Sequence, residues 1–256
     1  MRIAVCAKQI PDPATPYELD PETHFVVRPE EQVLDDTDRY GIEVALQLAD
    51  AAEGTVTLVS MGPAGSMQGI RQALAMGADK AIVIDDDGLR GSGALTTARV
   101  LAAAIEREGF DLVIAGTEST DGYTGVVPQQ IAEILGVPAL TFAKAFSHAD
   151  GKLRIERQTE VGYDVVEAEP PALMTVTSGV VEPRYPTFKG IMQAKQKPVE
   201  QLTAADLGID GAGPADAGQT IASVSQVPSR EAGVKVEDDG EGHTHIVALL
   251  EERKVI

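Results

Sequence analysis

Short runs of β-branched and other apolar residues alternate along this chain with longer stretches in which apolar positions recur at helical spacing. The short runs predict strands over residues 3–7, 55–62, 81–84, 111–116 and 139–146. The longer stretches predict helices over residues 38–52, 66–76, 96–108 and 126–135. Strands that alternate with helices of this length indicate βαβ units and therefore a parallel sheet.

The strands at 81–84 and 111–116 are apolar at nearly every position, which is typical of a sheet covered on both faces. Because crossovers between parallel strands are right-handed, we predict an α/β fold, a doubly wound and mostly parallel three-layer sheet. The pattern changes after Gly136. Three strand-like runs at 153–158, 163–169 and 172–178 follow with no helix between them, and they predict a small antiparallel extension.

The last quarter of the chain has a different composition. Residues 201–241 are rich in Gly, Ala, Asp and Ser and hold too few large apolar side chains to fold alone. We therefore expect one α/β domain over residues 1–200 and an extended C-terminal arm over 201–256. A short terminal helix is predicted near residues 245–253, and an arm of this kind needs another surface on which to lie.

Charge and composition exclude several classes of function. The chain has 40 acidic and 21 basic residues, a net charge of −19, which disfavours binding to nucleic acid or to an anionic membrane surface. A single cysteine excludes a disulfide framework, and no apolar run approaches the length of a membrane span. Met1 and Arg2 lead directly into the first strand with no signal-peptide pattern, so we expect a cytoplasmic protein.

The loop after the fourth strand, residues 116–125, is the richest candidate for chemistry. It holds three glycines and four Ser or Thr residues and leads into a helix. Its backbone N–H groups and the helix dipole could hold a phosphate or a carboxylate. An ordinary polar turn, with Thr124 or Asp121 as the helix N-cap, explains the pattern equally well, so both interpretations stay open. Cys6, at the end of a buried strand, fits a small core residue better than a nucleophile.

A second candidate is the segment 184–197, which runs against the charge of the whole chain. It carries four basic residues and no acidic one, together with the apolar residues Tyr185, Phe188, Ile191 and Met192. An apolar anchor surrounded by basic charge suits a protein-docking loop. The alternative is a helix with an apolar face in the core and a basic face in solvent, and it remains open.

Several motifs in the chain resemble those of electron-transfer flavoprotein β subunits. They are Glu-Pro-Arg-Tyr-Pro-Thr at 182–187, Ile-Met-x-Ala-Lys-x-Lys at 191–197, Lys-Gln-Ile-Pro-Asp at 8–12, Ala-Leu-Ala-Met-Gly-Ala-Asp at 73–79 and Ala-Gly-Val-Lys-Val at 232–236. The resemblance implies a fold of the adenine-nucleotide-binding type and a heterodimer. In that heterodimer the α subunit holds most of the FAD, the β subunit buries AMP, and the C-terminal arm packs on the α subunit.

The resemblance also implies site residues and partners. The AMP positions would be Cys6, Ala7, Asp35, Asp36, Thr37, Asp38, Met61, Gly116, Thr117, Glu118, Ser119, Thr120, Asp121, Gly122, Tyr123, Thr124, Gly125, Val126 and Val127. Recognition of acyl-CoA dehydrogenases, as in fatty acid oxidation, would fall on Arg184, Tyr185, Phe188, Ile191 and Met192. No metal site and no catalytic acid or base are implied. Phe188 stands where the family commonly has Leu, and residues 117–120 depart from its usual Lys-Gln-Ala-Ile.

Two alternatives accompany this interpretation. Bifurcating members of the family bind a second FAD in place of AMP, react with NADH, and tend to carry Asp-Thr-x-x-Thr at the helix start after the third strand. Only Thr97 of residues 93–97 matches that motif, so AMP is favoured. The other alternative is a free-standing regulator that binds adenine nucleotides, which would have no use for the segment 184–197.

Overall fold

The computed structural model of the chain describes residues 1–209, 213, 220–225, 233, 235–238 and 240–256. These residues form two compact units, Met1–Thr220 and Ile221–Ile256. Much of the arm predicted over residues 201–241 lies outside the described residues, as does part of the motif at 232–236.

The described residues form eleven strands and six α-helices. The strands are β1 (Arg2–Cys6), β2 (Gln9–Ile10), β3 (Val33–Leu34), β4 (Thr55–Met61), β5 (Lys80–Ile84), β6 (Leu112–Gly116), β7 (Ala139–Ala149), β8 (Lys152–Gln158), β9 (Tyr163–Ala168), β10 (Ala172–Val176) and β11 (Val199–Leu202). The helices are α1 (Asp36–Ala52), α2 (Gln68–Met76), α3 (Ala94–Glu108), α4 (Val127–Leu135), α5 (Phe188–Ala194) and α6 (Gly242–Glu252). Every strand and helix predicted from periodicity is present.

Nine of these strands form one sheet in the first unit, in the order β11-β5-β4-β1-β6-β10-β7-β8-β9. β1 pairs in parallel with β4 on one side and with β6 on the other. The chain moves outward from β1 through β4 and β5 before it returns to β6. The strand order therefore reverses between β1 and β6, and the doubly wound α/β fold is confirmed.

The prediction for the third strand of the antiparallel extension is wrong. β8 and β9 do form an antiparallel hairpin beside β7, but β10 lies between β6 and β7 and is parallel to both. The reason is visible in burial: β10 is buried at every position, as a central strand with both faces covered must be, whereas β8 alternates. β11 adds an edge strand beside β5 that was not predicted.

Two hydrophobic clusters cover the two faces of this sheet. Alternate residues of β1 point to opposite faces, so Ile3 and Val5 pack with α1 and α2, while Ala4 packs with α3 and α4. The three-layer architecture is therefore confirmed. A second, two-stranded sheet pairs β2 with β3 in antiparallel orientation at the base of the segment 11–32.

The terminal helix predicted near residues 245–253 is present as α6, in the second unit. Its apolar residues Ile246, Val247 and Leu249 are exposed. No helix in the described part of the chain is long and apolar enough to cross a membrane.

Candidate functional site

A cleft of about 250 Å³ opens at the carboxyl ends of β1, β4 and β6, beside the point where the strand order reverses. Ligands of doubly wound folds bind at this place because the loops that leave the strands diverge there. Of the predicted AMP positions, those that line the cleft are Cys6, Ala7, Asp38, Met61, Gly116, Glu118, Ser119, Gly122, Thr124, Gly125 and Val127. The structure thus brings together loops that are more than a hundred residues apart.

The remaining predicted positions lie around the cleft rather than on its wall. Asp35 is fully buried beneath the loop, Asp36 pairs on the surface with Arg39 at 3.4 Å, and Tyr123 is exposed. The other five hold the surrounding structure in place. Hydrogen bonds or an ion pair fix Thr37, Thr117, Thr120 and Asp121, and Val126 is the N-cap of α4.

The cleft also has lining residues that were not predicted. They are Lys8, Val59, Ser92, Ala94, Thr97, Leu101, Ala115, Pro128 and Ile131. Most of them are apolar residues of strands and helices, which a sequence pattern cannot separate from ordinary core positions. They give the cleft a largely apolar wall opposite a polar loop, the combination expected of a site for a small ligand.

The N-terminus of α4 faces this region without a side-chain cap. Its N-cap is Val126, which makes no side-chain hydrogen bond, so the interpretation of Thr124 or Asp121 as the cap is wrong. Gly125 precedes it with φ of +63°, a left-handed conformation that favours glycine. Pro128, the second residue of α4, has no N–H, so the donors at this end are the N–H groups of Val127 and Gln129; their partial positive charge is suited to an anion.

Asp35 connects the loop 116–125 to the start of α1 through hydrogen bonds. One of its carboxylate oxygens accepts hydrogen bonds from Thr37 N at 3.0 Å and Thr37 Oγ1 at 2.9 Å, which caps α1. The other accepts from Thr120 N at 2.7 Å and Thr120 Oγ1 at 3.0 Å. A single buried carboxylate therefore ties the start of α1 to the loop 116–125.

Asp121 holds the same loop from the other side. Its buried carboxylate forms ion pairs with Lys8, at 2.7 Å, and with Arg28. Burial would raise the pKa of Asp121, but these two cations hold it below its ordinary value. Lys8 and Arg28 thus offset the charge of Asp121, while the carboxylates of Glu118 and Asp38 also line the cleft. Neither cation was predicted, and nothing in the spacing of Arg28 could have indicated this contact.

Asp38 lies on the wall of the cleft in a different electrostatic setting. Burial and the nearby Asp35 carboxylate raise the pKa of Asp38 well above its ordinary value, against the hydrogen bond that Lys8 N donates to it at 2.7 Å. Asp38 therefore resists carrying full negative charge, so it opposes an anionic ligand less than an ordinary aspartate would.

We expect the Cys6 thiol to react slowly with alkylating reagents. Burial, with a contribution from Asp38, raises the pKa of Cys6 to about 12. At pH 8 its thiolate fraction should be about a thousandfold below that of a free cysteine, and alkylation by iodoacetamide should slow in proportion. Mass spectrometry of timed samples measures the rate. A rate within about tenfold of free cysteine would contradict this environment.

The segment 184–197 forms a second candidate surface. Residues 188–194 form the helix α5, but its large apolar side chains do not enter the core, so the alternative of a helix with its apolar face in the core is wrong. Phe188 is 81% exposed and Tyr185 is 78% exposed, and Ile191 and Met192 are exposed beside them. We name these four side chains the apolar patch. An exposed cluster of large apolar side chains is typical of a surface that binds another molecule.

Arg184, predicted to contact a partner, forms ion pairs within the chain. Its guanidinium donates to Glu43 of α1, with Nε 2.7 Å from Oε2, and it lies 3.4 Å from Asp50. Arg39 of the same helix stacks on the Tyr185 ring, 5.6 Å from its centroid. The start of the apolar patch is thereby attached to α1.

Comparison with known proteins identifies the family. The model of the electron transfer flavoprotein domain matches residues 23–207. The chain is 44% identical to the electron transfer flavoprotein subunit beta of Mycobacterium tuberculosis (strain ATCC 25618 / H37Rv) over 99% of both chains. It is 37% identical to that of Megasphaera elsdenii, over 94% of both. It is also 37% identical to the caffeyl-CoA reductase-Etf complex subunit CarD of Acetobacterium woodii, over 82% of this chain and 80% of that one. The chain therefore belongs to the family of electron transfer flavoprotein β subunits.

Proposed function

We propose that this chain pairs with an electron transfer flavoprotein α subunit, buries AMP in the cleft beside β1 and β6, and docks the dehydrogenase that donates electrons. The observation that carries the nucleotide assignment is the uncapped N-terminus of α4, which faces a cleft with an apolar wall at the point where the strand order reverses. The chain itself contributes shape, a nucleotide site and a docking surface rather than a catalytic acid or base.

The cleft offers apolar and polar surfaces that match the two ends of AMP. The apolar side chains of Val59, Leu101 and Ile131 suit an adenine ring, and the loop 116–125 with the start of α4 suits the phosphate. Lys8 adds positive charge at the polar side. The volume lies at the small end of ligand clefts, which fits a mononucleotide better than a dinucleotide.

The proposed redox group is FAD, held mainly by the α subunit, which supplies one- and two-electron chemistry when bound. The apolar patch would anchor acyl-CoA dehydrogenases or related donors while electrons pass to a downstream acceptor. The part of the C-terminal arm that follows β11 would pack on the α subunit. The exposed apolar side chains of α6 support this, because an amphipathic helix gains stability by burying such a face.

Electron bifurcation is the second candidate function. A second cleft of about 270 Å³ lies at the ends of β4 and β5 and shares Lys8, Met61, Ser92 and Thr97 with the first. Joined, the two clefts offer room for a larger ligand such as a second FAD. Residues 93–97 match the corresponding family motif only at Thr97, which favours AMP.

The experiment is to express the chain with its α-subunit partner, purify the heterodimer, denature it and quantify the released nucleotides by chromatography. One AMP and one FAD per heterodimer support the proposal. Two FAD and no AMP would favour bifurcation. A chain that remains alone in solution and holds an adenine nucleotide without flavin would indicate the free-standing regulator instead.

A further inference from the structure

We propose that Glu43 and Lys197 are positioning residues for the apolar patch, which they hold at its two ends as a rigid docking platform. The inference rests on the proposed docking of a dehydrogenase and deepens it. On this inference, the four basic residues of segment 184–197 have two roles: Arg184 and Lys197 form contacts inside the chain, whereas Lys189 and Lys195 face solvent.

The first anchor is Glu43, which has 5% of its side chain exposed and lies on α1. Its carboxylate accepts three hydrogen bonds from Arg184, from the backbone N at 3.1 Å, from Nε at 2.7 Å and from Nη2 at 3.2 Å. Gln47 donates a fourth at 2.9 Å, so the carboxylate is held in place on its own helix. This geometry fixes both the backbone and the side chain of the residue that precedes Tyr185.

The second anchor is Lys197, just beyond the end of α5. Its ammonium donates to three carbonyl oxygens at the C-terminus of α2, those of Leu74 at 3.0 Å, Gly77 at 3.1 Å and Ala78 at 2.6 Å. The negative end of the α2 dipole favours a cation at this place. A lysine that satisfies three carbonyls inside the chain is an internal cap rather than a steering charge.

Between the two anchors, α5 also lies in close contact with α2. Arg71 of α2 donates to the carbonyl oxygens of Ala194, at 2.7 Å, and of Lys197, at 3.0 Å. A Cβ at Gly190 would lie 2.5 Å from the carbonyl oxygen of Ala75, so only glycine permits this approach of α5 to α2. The apolar patch therefore stands on a backbone fixed at both ends and along its length.

Two cations remain for a partner. Lys189 and Lys195 are exposed, and neither forms an ion pair within the described residues. They are free to interact with an acidic surface, and such an interaction is screened by salt. Docking by the apolar patch on its fixed backbone should instead persist at high salt. This difference separates positioning from electrostatic steering.

The test compares the heterodimers carrying Glu43→Gln and Lys197→Met with those carrying Lys195→Met and Phe188→Ala. Each is reduced by an acyl-CoA dehydrogenase in the presence of its acyl-CoA substrate, and KM for the heterodimer and kcat are measured at low and high salt. Glu43 is buried and cannot touch a partner, so a change in KM on Glu43→Gln must act through Arg184. Flavin content and melting temperature verify that each variant is folded.

We expect Glu43→Gln and Lys197→Met to raise KM about three- to tenfold at both salt concentrations, because the patch must then be ordered when the partner binds, with kcat unchanged. Lys195→Met should raise KM at low salt only.

If Phe188→Ala raises KM but Glu43→Gln and Lys197→Met do not, positioning is overturned while docking stands. If Phe188→Ala also leaves KM unchanged, the proposed docking itself fails. An effect of Lys197→Met that disappears at high salt would make Lys197 a steering charge.

Discussion

Replacing Asp35 with alanine is expected to lower the free energy of unfolding by about 3 kcal/mol and to remove most of the bound nucleotide from the purified heterodimer. The substitution leaves two donors of Thr37 and two of Thr120 without their buried acceptor. It therefore uncaps α1 and releases the loop 116–125 at the same time. Urea denaturation and chromatography of the released nucleotide measure the two effects.

Asp206 offers a matched control for this prediction. It accepts hydrogen bonds from Thr203 N at 2.8 Å and Thr203 Oγ1 at 2.7 Å, the same arrangement that Asp35 makes with Thr120, but on an exposed turn away from the cleft. We expect Asp206→Ala to leave nucleotide content unchanged. Equal loss of nucleotide from both variants would show that the hydrogen bonds of Asp35 to the loop 116–125 have no special role in nucleotide binding.

Replacing Phe188 with alanine is expected to lower kcat/KM for electron transfer from the dehydrogenase about thirtyfold, the effect of losing an interface hot spot of about 2 kcal/mol. Phe188 is 81% exposed, so it contributes little to the core of this chain. The free energy of unfolding should therefore change by less than about 0.5 kcal/mol. Stopped-flow reduction of the heterodimer and urea denaturation measure the two quantities.

Val161 is the control for exposed apolar surface as such. It is 98% exposed at the turn between β8 and β9, away from the apolar patch in sequence and on a different element. We expect Val161→Ala to change neither the transfer rate nor the stability. The docking assignment is contradicted if Phe188→Ala transfers electrons as fast as the unchanged chain. A loss of stability instead would mean that Phe188 belongs to a packed core.

The sequence predicted the strands and helices of the first unit because their periods of apolar residues differ clearly. It predicted β10 as a strand but gave it the wrong partners, because no helix separates β10 from β8 and β9 in sequence. A strand's partner depends on which neighbouring surfaces are left uncovered, and β10 is buried at every position between β6 and β7. β11 was missed because four residues carry too little pattern to separate a strand from a loop.

For the candidate site, too, some features could be predicted from the sequence and others only from the tertiary structure. The glycine-rich loop at 116–125 and the basic, apolar segment at 184–197 are visible in the sequence, because unusual composition at one place marks a local requirement. The contacts of Arg28 with Asp121 and of Lys197 with the end of α2 could not be seen there. Each joins residues more than ninety positions apart and depends on how the elements pack.

The sequence by itself therefore determined the doubly wound fold class and the two segments proposed to carry function, since periodicity and composition are local properties. Only the tertiary structure decided which charges those segments keep for a ligand or a partner. In the loop, Asp121 is neutralised by Lys8 and Arg28, and the start of α4 stays uncapped. In the basic segment, Arg184 and Lys197 are bound to α1 and α2. The physical reason is that an ion pair or a helix cap needs a partner within hydrogen-bond distance, and folding alone brings distant residues that close.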